Sequence, residues 1–230
     1  MALTAELVAR CERHEPDPGP ESSRSYYTDA EYEAASDRLI EQAGTGPLWI
    51  FAYGSLIWKP AIETVDRCRA VAHGWHRAFC LRLTRWRGSP AQPGLMMGLR
   101  HGGFCEGVAY RVADESRRDL LPRLLHREIA NDQHLTGVRW IDVDTVQGKL
   151  RALAFWAEPI GLANWVDLSL PEAAHILARA CGHIGSGAAY LFHTVRHLDE
   201  LGIHDRNLWR LQELVAEEIK SLHSASSTAP

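Results

Sequence analysis

The sequence predicts an α+β fold: a small β-barrel with flanking helices and a helical C-terminal third. A series of short aromatic and aliphatic runs fills the middle of the chain, spaced closely enough to form a closed or strongly curved sheet. The last third instead repeats apolar residues every three or four positions between helix start and stop signals.

Pro16, Pro18 and Pro20 stand at alternate positions, a pattern that sustains neither a helix nor a paired strand. Residues 1–27 are therefore expected to be an extended lead-in. Thr28 and Glu31 form a capping-box signal, and Tyr32, Ala35, Leu39 and Ile40 follow at helical spacing to a stop at Gly44. Strands are expected at 48–53, 75–83, 95–99, 107–112, 138–143 and 150–156, with Gln147-Gly148 as the turn between the last two. Ser169-Leu170-Pro171-Glu172 combines an N-cap, an early proline and a capping-box glutamate. Ala173, Ile176, Leu177 and Ala180 continue that helix, and Gly182 is its expected stop. A second helix carries Tyr190, Leu191, Val195, Leu198 and Leu201 and ends at Gly202; a third carries Leu208, Leu211, Val215 and Ile219. One domain is thus assigned to residues 28–220, with a frayed tail at 221–230.

At 230 residues the chain suits one domain with a sizeable core. Its 46% hydrophobic and 23% charged residues are ordinary for a soluble globular protein. A formal net charge of -4 gives no overall attraction to phosphate backbones, which argues against nucleic acid as a partner. No run of about 18 apolar residues is present, so no membrane span is expected. The N-terminus lacks the basic and apolar regions of a signal peptide, and a cytoplasmic setting is the expectation. The five cysteines, Cys11, Cys68, Cys80, Cys105 and Cys181, form no C-x-x-C pair and read as reduced thiols.

The most informative segment is Phe51-Ala52-Tyr53-Gly54-Ser55-Leu56-Ile57-Trp58-Lys59-Pro60, an apolar strand running into Tyr-Gly-Ser. Gly54 permits a sharp turn and a close approach of ligand to backbone. Amides after such a strand end can converge on a carboxylate or a developing oxyanion, and Ser55 adds a hydroxyl. Taken alone, Tyr-Gly-Ser after a strand is more often an ordinary structural turn. Further blocks follow in order. They are Gly74-Trp75-His76-Arg77-Ala78-Phe79-Cys80-Leu81-Arg82-Leu83-Thr84, then Arg87-Gly88-Ser89-Pro90 with Pro93-Gly94, then Gly107-Val108-Ala109-Tyr110-Arg111-Val112, then the stretch 185–191.

Together these blocks, spanning about residues 47–214, resemble the ChaC-like, glutathione-specific γ-glutamylcyclotransferases, especially the bacterial branch. The resemblance implies a γ-glutamylcyclotransferase-like β-barrel and a small-molecule substrate, glutathione. It also implies cleavage of that substrate to 5-oxoproline and Cys-Gly. In that reaction the α-amine of the substrate attacks its own γ-carbonyl carbon and closes a five-membered lactam. A carboxylate must take a proton from the amine, and the resulting acid can protonate the departing amine of Cys-Gly. Because the attack is intramolecular, the enzyme chiefly has to hold the reactive conformer. The motif position for this group is Glu128, in Leu124-Leu125-His126-Arg127-Glu128-Ile129. The resemblance makes residues 52–57 the substrate cradle: the amides of Tyr53, Gly54, Ser55, Leu56 and Ile57 bind the γ-glutamyl carboxylate and orient the γ-carbonyl, with Ala52 in the same substrate-binding loop. Arg85 or Arg87 can pair bidentately with the glycine carboxylate, or be exposed loop charges. No cofactor is needed.

Three departures from the family pattern stand out. Ala52 replaces a common glycine. Pro122 falls inside the helix before Glu128 and is expected to kink or restart it. Residues 129–135 lack the usual glycine and tyrosine, and His134 takes the place of the tyrosine. This last change leaves open a cyclotransferase for other γ-glutamyl amides, or an inactive binding module on the same fold. Tyr110 reads as a half-buried strand tyrosine with a phenol able to bond substrate. His193 and His197 share a helix face without a third ligand, so no metal site is expected. Cys80 and Cys105 read as small buried apolar groups rather than nucleophiles.

Overall fold

The computed structural model describes residues 1–20, 26–60, 63–129 and 132–226. In chain order its elements are α1 (Ala5–Ala9), α2 (Asp29–Ala43), β1 (Trp49–Ala52), α3 (Ser55–Trp58), β2 (Thr64–Leu83) and β3 (Gly94–Val112). A 3-10 turn (Asp114–Ser116) leads into α4 (Arg117–Glu128) and α5 (Asp132–Leu135), followed by β4 (Arg139–Thr145) and β5 (Gly148–Ala154). Then come α6 (Leu170–Leu177), β6 (Cys181–Gly182), β7 (Gly185–Ser186), α7 (Gly187–Glu200) and α8 (Arg206–Ser226). The chain divides into two compact units, each built from separated segments. A barrel unit comprises Pro20–Arg77 and Gly98–Leu162; a helical unit comprises Met1–Gly19, Ala78–Met97 and the chain from Ala163 onward.

The strand order β1-β3-β2-β4-β5 closes into a barrel, as the spacing of the strand-like runs predicts. In the barrel unit β1 runs antiparallel to β3, from Trp49 opposite Arg111 to Ala52 opposite Val108. On its other side β1 runs parallel to β5, beside Ala152 and Leu153. A hairpin joins β4 to β5, with Gly148 at φ 120° in its turn. The runs expected separately at 95–99 and 107–112 belong to one strand, β3, and the run at 75–83 is the second half of β2. The polar and glycine residues between these runs do not end a strand. Gly74, Gly102 and Gly103 take positive φ and let the chain bend while it stays extended.

Leu48, Ile50, Phe51, Leu99, Leu121, Leu125 and Phe155 are fully buried in this unit. Each contributes about 1.5–3 kcal/mol relative to an exposed side chain. Helix α2 opens on the expected capping box, with both reciprocal bonds between Thr28 and Glu31 formed. It packs on α4, burying Tyr32, Ala35 and Leu39 on one helix and Leu120, Leu121, Leu124 and Leu125 on the other. Helix α4 continues through Pro122 rather than restarting. The ring removes only the bond its nitrogen would have given to the Arg118 carbonyl.

In the helical unit α6 and α7 pack on α8, and α1 packs on both α7 and α8. The capping box of α6 forms between Ser169 and Glu172. Three expectations are corrected here. The lead-in assigned to residues 1–27 is helical over Ala5–Ala9, where the Thr4 side chain accepts the Leu7 amide. Five residues are too few to show a period, and tertiary bonds hold this turn: the amides of Ala2 and Leu3 donate to Gln212 Oε1 at 2.8 and 2.7 Å. Residues 13–19 and 26–28 carry no regular element, as the alternating prolines require; Glu21 to Ser25 lie outside the described residues. Gly182 does not end α6, which stops at Leu177; it sits in β6, where a Cβ would lie 2.2 Å from the Trp86 carbonyl oxygen. Helix α8 runs past the expected boundary at 220 to Ser226, with Ser224 Oγ donating to the Lys220 carbonyl. Among the described residues, no helix is long and apolar enough to cross a membrane.

Gly107 lets β3 approach the end of β1. A Cβ there would stand 2.4 Å from the Ala52 carbonyl oxygen and 2.9 Å from the Phe51 ring. Gly107→Ala is expected to lower stability by about 1–3 kcal/mol through overpacking. The midpoint of urea denaturation measures it.

Candidate active site

The segment after β1 turns inside the barrel unit. Ala52 is an ordinary strand residue paired with Val108, so its replacement of glycine is accommodated without positive φ. Tyr53 is buried; its phenol donates to the Phe155 carbonyl at 2.7 Å. The Tyr53 carbonyl accepts from Arg77 Nη1 at 2.7 Å. Arg77 is only 2% exposed, so this guanidinium holds the turn from within the core. Gly54 precedes the single turn of α3, and the Ile57 amide donates back to the Gly54 carbonyl at 3.0 Å. Ser55 and Leu56 open the helix, where no carbonyl one turn back can accept their amides. Leu56 and Ile57 are buried, and Ser55 and Trp58 are half-buried.

Glu128 ends α4, with its side chain 11% exposed. Burial pushes its carboxyl above the ordinary carboxylate value, and the adjacent Arg127 charge opposes part of that rise. Arg127 Nε lies 3.2 Å from Glu128 Oε1, and Arg127 Nη1 donates to the Lys59 carbonyl at 2.8 Å. One guanidinium therefore ties the loop after α3 to the carboxylate of Glu128. The next residue, Ile129, leaves helical geometry at φ -123° and ψ 115°. Its carbonyl accepts from the Tyr32 phenol at 2.6 Å. Ala130 and Asn131, in the altered stretch after Glu128, lie outside the described residues. His134 is 6% exposed, its ring 5.0 Å from that of Trp156. Tyr110 is 5% exposed on β3, and burial pushes its phenol pKa up.

Glu128 is thus linked through Arg127 to Lys59, the residue that follows α3. Arg85 and Arg87 belong to the helical unit. Arg85 grips Asp17 with Nε and Nη2, each 2.7 Å from one carboxylate oxygen. That bond holds the Asp17 carboxyl well below the usual carboxylate range. Arg87 Nη1 donates to the Ser186 carbonyl at 3.0 Å, and the guanidinium lies 5.2 Å over the Tyr190 ring. Glu12 accepts from both the amide and the hydroxyl of Ser186, at 3.1 and 2.6 Å.

Cys80 and Cys105 are buried, and all five cysteines are free thiols. Burial pushes the Cys11 thiol up to about 11, which disfavours a thiolate. His197 Nδ1 is engaged with the His193 carbonyl at 2.7 Å.

Sequence reasoning missed Arg77 and Tyr32 as parts of this region. A charged residue inside the apolar run at 75–83 was a signal for the first. Tyr32 sat on the apolar stripe of its helix and read as core.

The family model described as ChaC-like protein matches residues 48–218. A glutathione-specific γ-glutamylcyclotransferase of Escherichia coli (strain K12) is 40% identical over 182 residues, covering 78% of each chain. γ-Glutamylcyclotransferase 2-3 of Arabidopsis thaliana is 30% identical over 73% of this chain and 88% of its own length. Among solved structures, a glutathione-specific γ-glutamylcyclotransferase from yeast superposes with a TM-score of 0.65 at 21% identity, covering 76% of this chain and 97% of that one. That likeness shows the shared fold. With a family model matched from β1 into α8, and a bacterial relative at 40% identity, the chain belongs to the ChaC-like family.

Proposed function

We propose that this protein is a γ-glutamylcyclotransferase that converts glutathione to 5-oxoproline and Cys-Gly, with Glu128 as general acid/base. The observation that carries the reading is a carboxyl largely withdrawn from water, at the helix end that Arg127 ties to the loop after α3. A carboxylate with a raised pKa is a better base at neutral pH, and its acid form is more accessible for the return step.

The reaction balances without water or cofactor. Glu128 removes a proton from the substrate α-ammonium. The freed amine attacks the γ-carbonyl carbon, a new C–N bond closes the lactam, and the C–N bond to cysteine breaks. Glu128 gives that proton to the departing nitrogen, then takes the second proton of the attacking nitrogen and passes it on in the same way, so the lactam is left with one N–H and Cys-Gly leaves as an ammonium. Residues 52–57 form the cradle for the γ-glutamyl end: the Ser55 and Leu56 amides and the Ser55 hydroxyl meet its carboxylate, and Ala52, Tyr53 and Gly54 form the wall. Ile57 fixes the turn, its amide being bonded to Gly54. The free thiols fit a reducing, cytosolic setting.

Incubation of purified protein with reduced glutathione is expected to yield 5-oxoproline and Cys-Gly in equal amounts. Glu128→Gln is expected to lower kcat by about 10²–10⁴-fold. Equal turnover by that variant would overturn Glu128 as acid/base. If folded wild type gives no product from glutathione but releases 5-oxoproline from another γ-glutamyl amide, the chemistry stands and the substrate is replaced.

The raised pKa also sets a stability expectation. Protonated Glu128 favours the folded state, and that advantage is lost as pH rises from the ordinary carboxylate pKa through the folded one. Glu128→Gln, neutral throughout, should match wild-type Tm below that window and exceed it at neutral pH. Thermal unfolding across pH tests this.

A further inference from the structure

We infer that Tyr32 is a positioning residue for Glu128, and that helix α2 clamps the end of α4 by bonding the backbone carbonyl of Ile129. The inference rests on the reading of Glu128 as acid/base. It adds a part that the family match does not include, because that match begins at residue 48 and α2 precedes it.

At Ile129 the chain leaves the helix, so its carbonyl is not directed at an amide one turn further on. Ile129 is 1% exposed, which denies that carbonyl bulk water. The Tyr32 phenol supplies the bond at 2.6 Å. Burial, with Tyr27 and Asp29 beside it, pushes the phenol pKa up, so it remains a neutral donor at physiological pH. The Tyr32 ring also lies 5.1 Å from the His126 ring, on the last turn of α4. At the far end of α4, Arg117 donates to the Gly46 carbonyl at 2.7 Å and Arg118 pairs with Asp37 at 3.0 Å. Both ends of α4 are thus pinned by the segment at 29–46, and the pin at the catalytic end is one residue from Glu128.

Among the described residues, the charged and titratable groups around this end include His126 and Arg127 on α4, and Tyr32 with Tyr27 and Asp29 near the start of α2. Lys59 takes part through its carbonyl. Without the phenol, the Ile129 peptide must turn to find another donor and swing the Glu128 carboxyl toward water. The 52–57 segment keeps its own bonds to Arg77 and Phe155, so substrate binding should survive.

The test is Tyr32→Phe, assayed for kcat and KM on glutathione across pH, with Glu128→Gln as control. The expected result is a fall in kcat of about tenfold, a fraction of what a positioned acid/base supplies. KM should stay within about twofold, and the acidic limb of kcat should move to lower pH as the carboxyl is resolvated. The limb position does not depend on how much of the sample is folded, so it stays readable if the variant is destabilised. Tyr32→p-aminophenylalanine, which keeps a donor, should restore the wild-type limb. A variant with lowered Tm but unchanged kcat and limb would overturn the proposal and leave Tyr32 a packing residue. An equal loss in kcat and KM without a limb shift would also overturn it. Full turnover by Glu128→Gln would instead remove the acid/base reading, whatever Tyr32→Phe shows.

Discussion

A carboxylate taken out of water loses solvation worth several kcal/mol, and its neighbours must replace part of it. Glu128 is in that position, with the guanidinium of Arg127 within reach. The same guanidinium also donates to the Lys59 carbonyl, so its geometry is set from two sides. A fully satisfied carboxylate would be a poor base; a fully desolvated one would stay protonated. The Arg127 cation at 3.2 Å opposes part of the rise that burial causes.

The rest of the barrel unit supports that compromise by fixing the partners. Arg77 is an almost fully buried cation whose Nη1 bonds a backbone carbonyl rather than a carboxylate. It therefore rigidifies the turn at Tyr53. The Tyr53 phenol does the same from the other direction through the Phe155 carbonyl. Backbone bonds of this kind define positions more sharply than surface ion pairs, whose net worth is about 0–1 kcal/mol. The Arg118–Asp37 pair, with both side chains more than half exposed, belongs to that weaker class.

What the sequence revealed was local. The capping boxes at Thr28 and Ser169 read directly, because their partners lie three residues away. The barrel strands were legible as apolar runs, though β2 and β3 looked shorter than they are because glycines at their bends resemble turns. The 52–57 segment and Glu128 are singled out by an ordered series of motifs rather than by the chemistry of any one residue. Long-range pairings stayed hidden. Asp17 meets Arg85 across 68 positions, and Tyr32 meets Ile129 across 97. Gly182 misled for a physical reason: a glycine after an apolar helical run signals a stop, and only the fold shows the Trp86 carbonyl pressed against it.

The interleaving of the two units has a consequence for the order of events during synthesis. The barrel unit has all its segments once residue 162 has left the ribosome. The helical unit does not, since the amides of Ala2 and Leu3 wait for Gln212, 210 and 209 positions later. Residues 2 and 3 thus precede the barrel segments in the chain yet settle after them. Until α7 and α8 arrive, Leu7 and Val8 lack the helices that α1 packs on, and apolar surface of that kind is what makes a partly folded chain prone to aggregate.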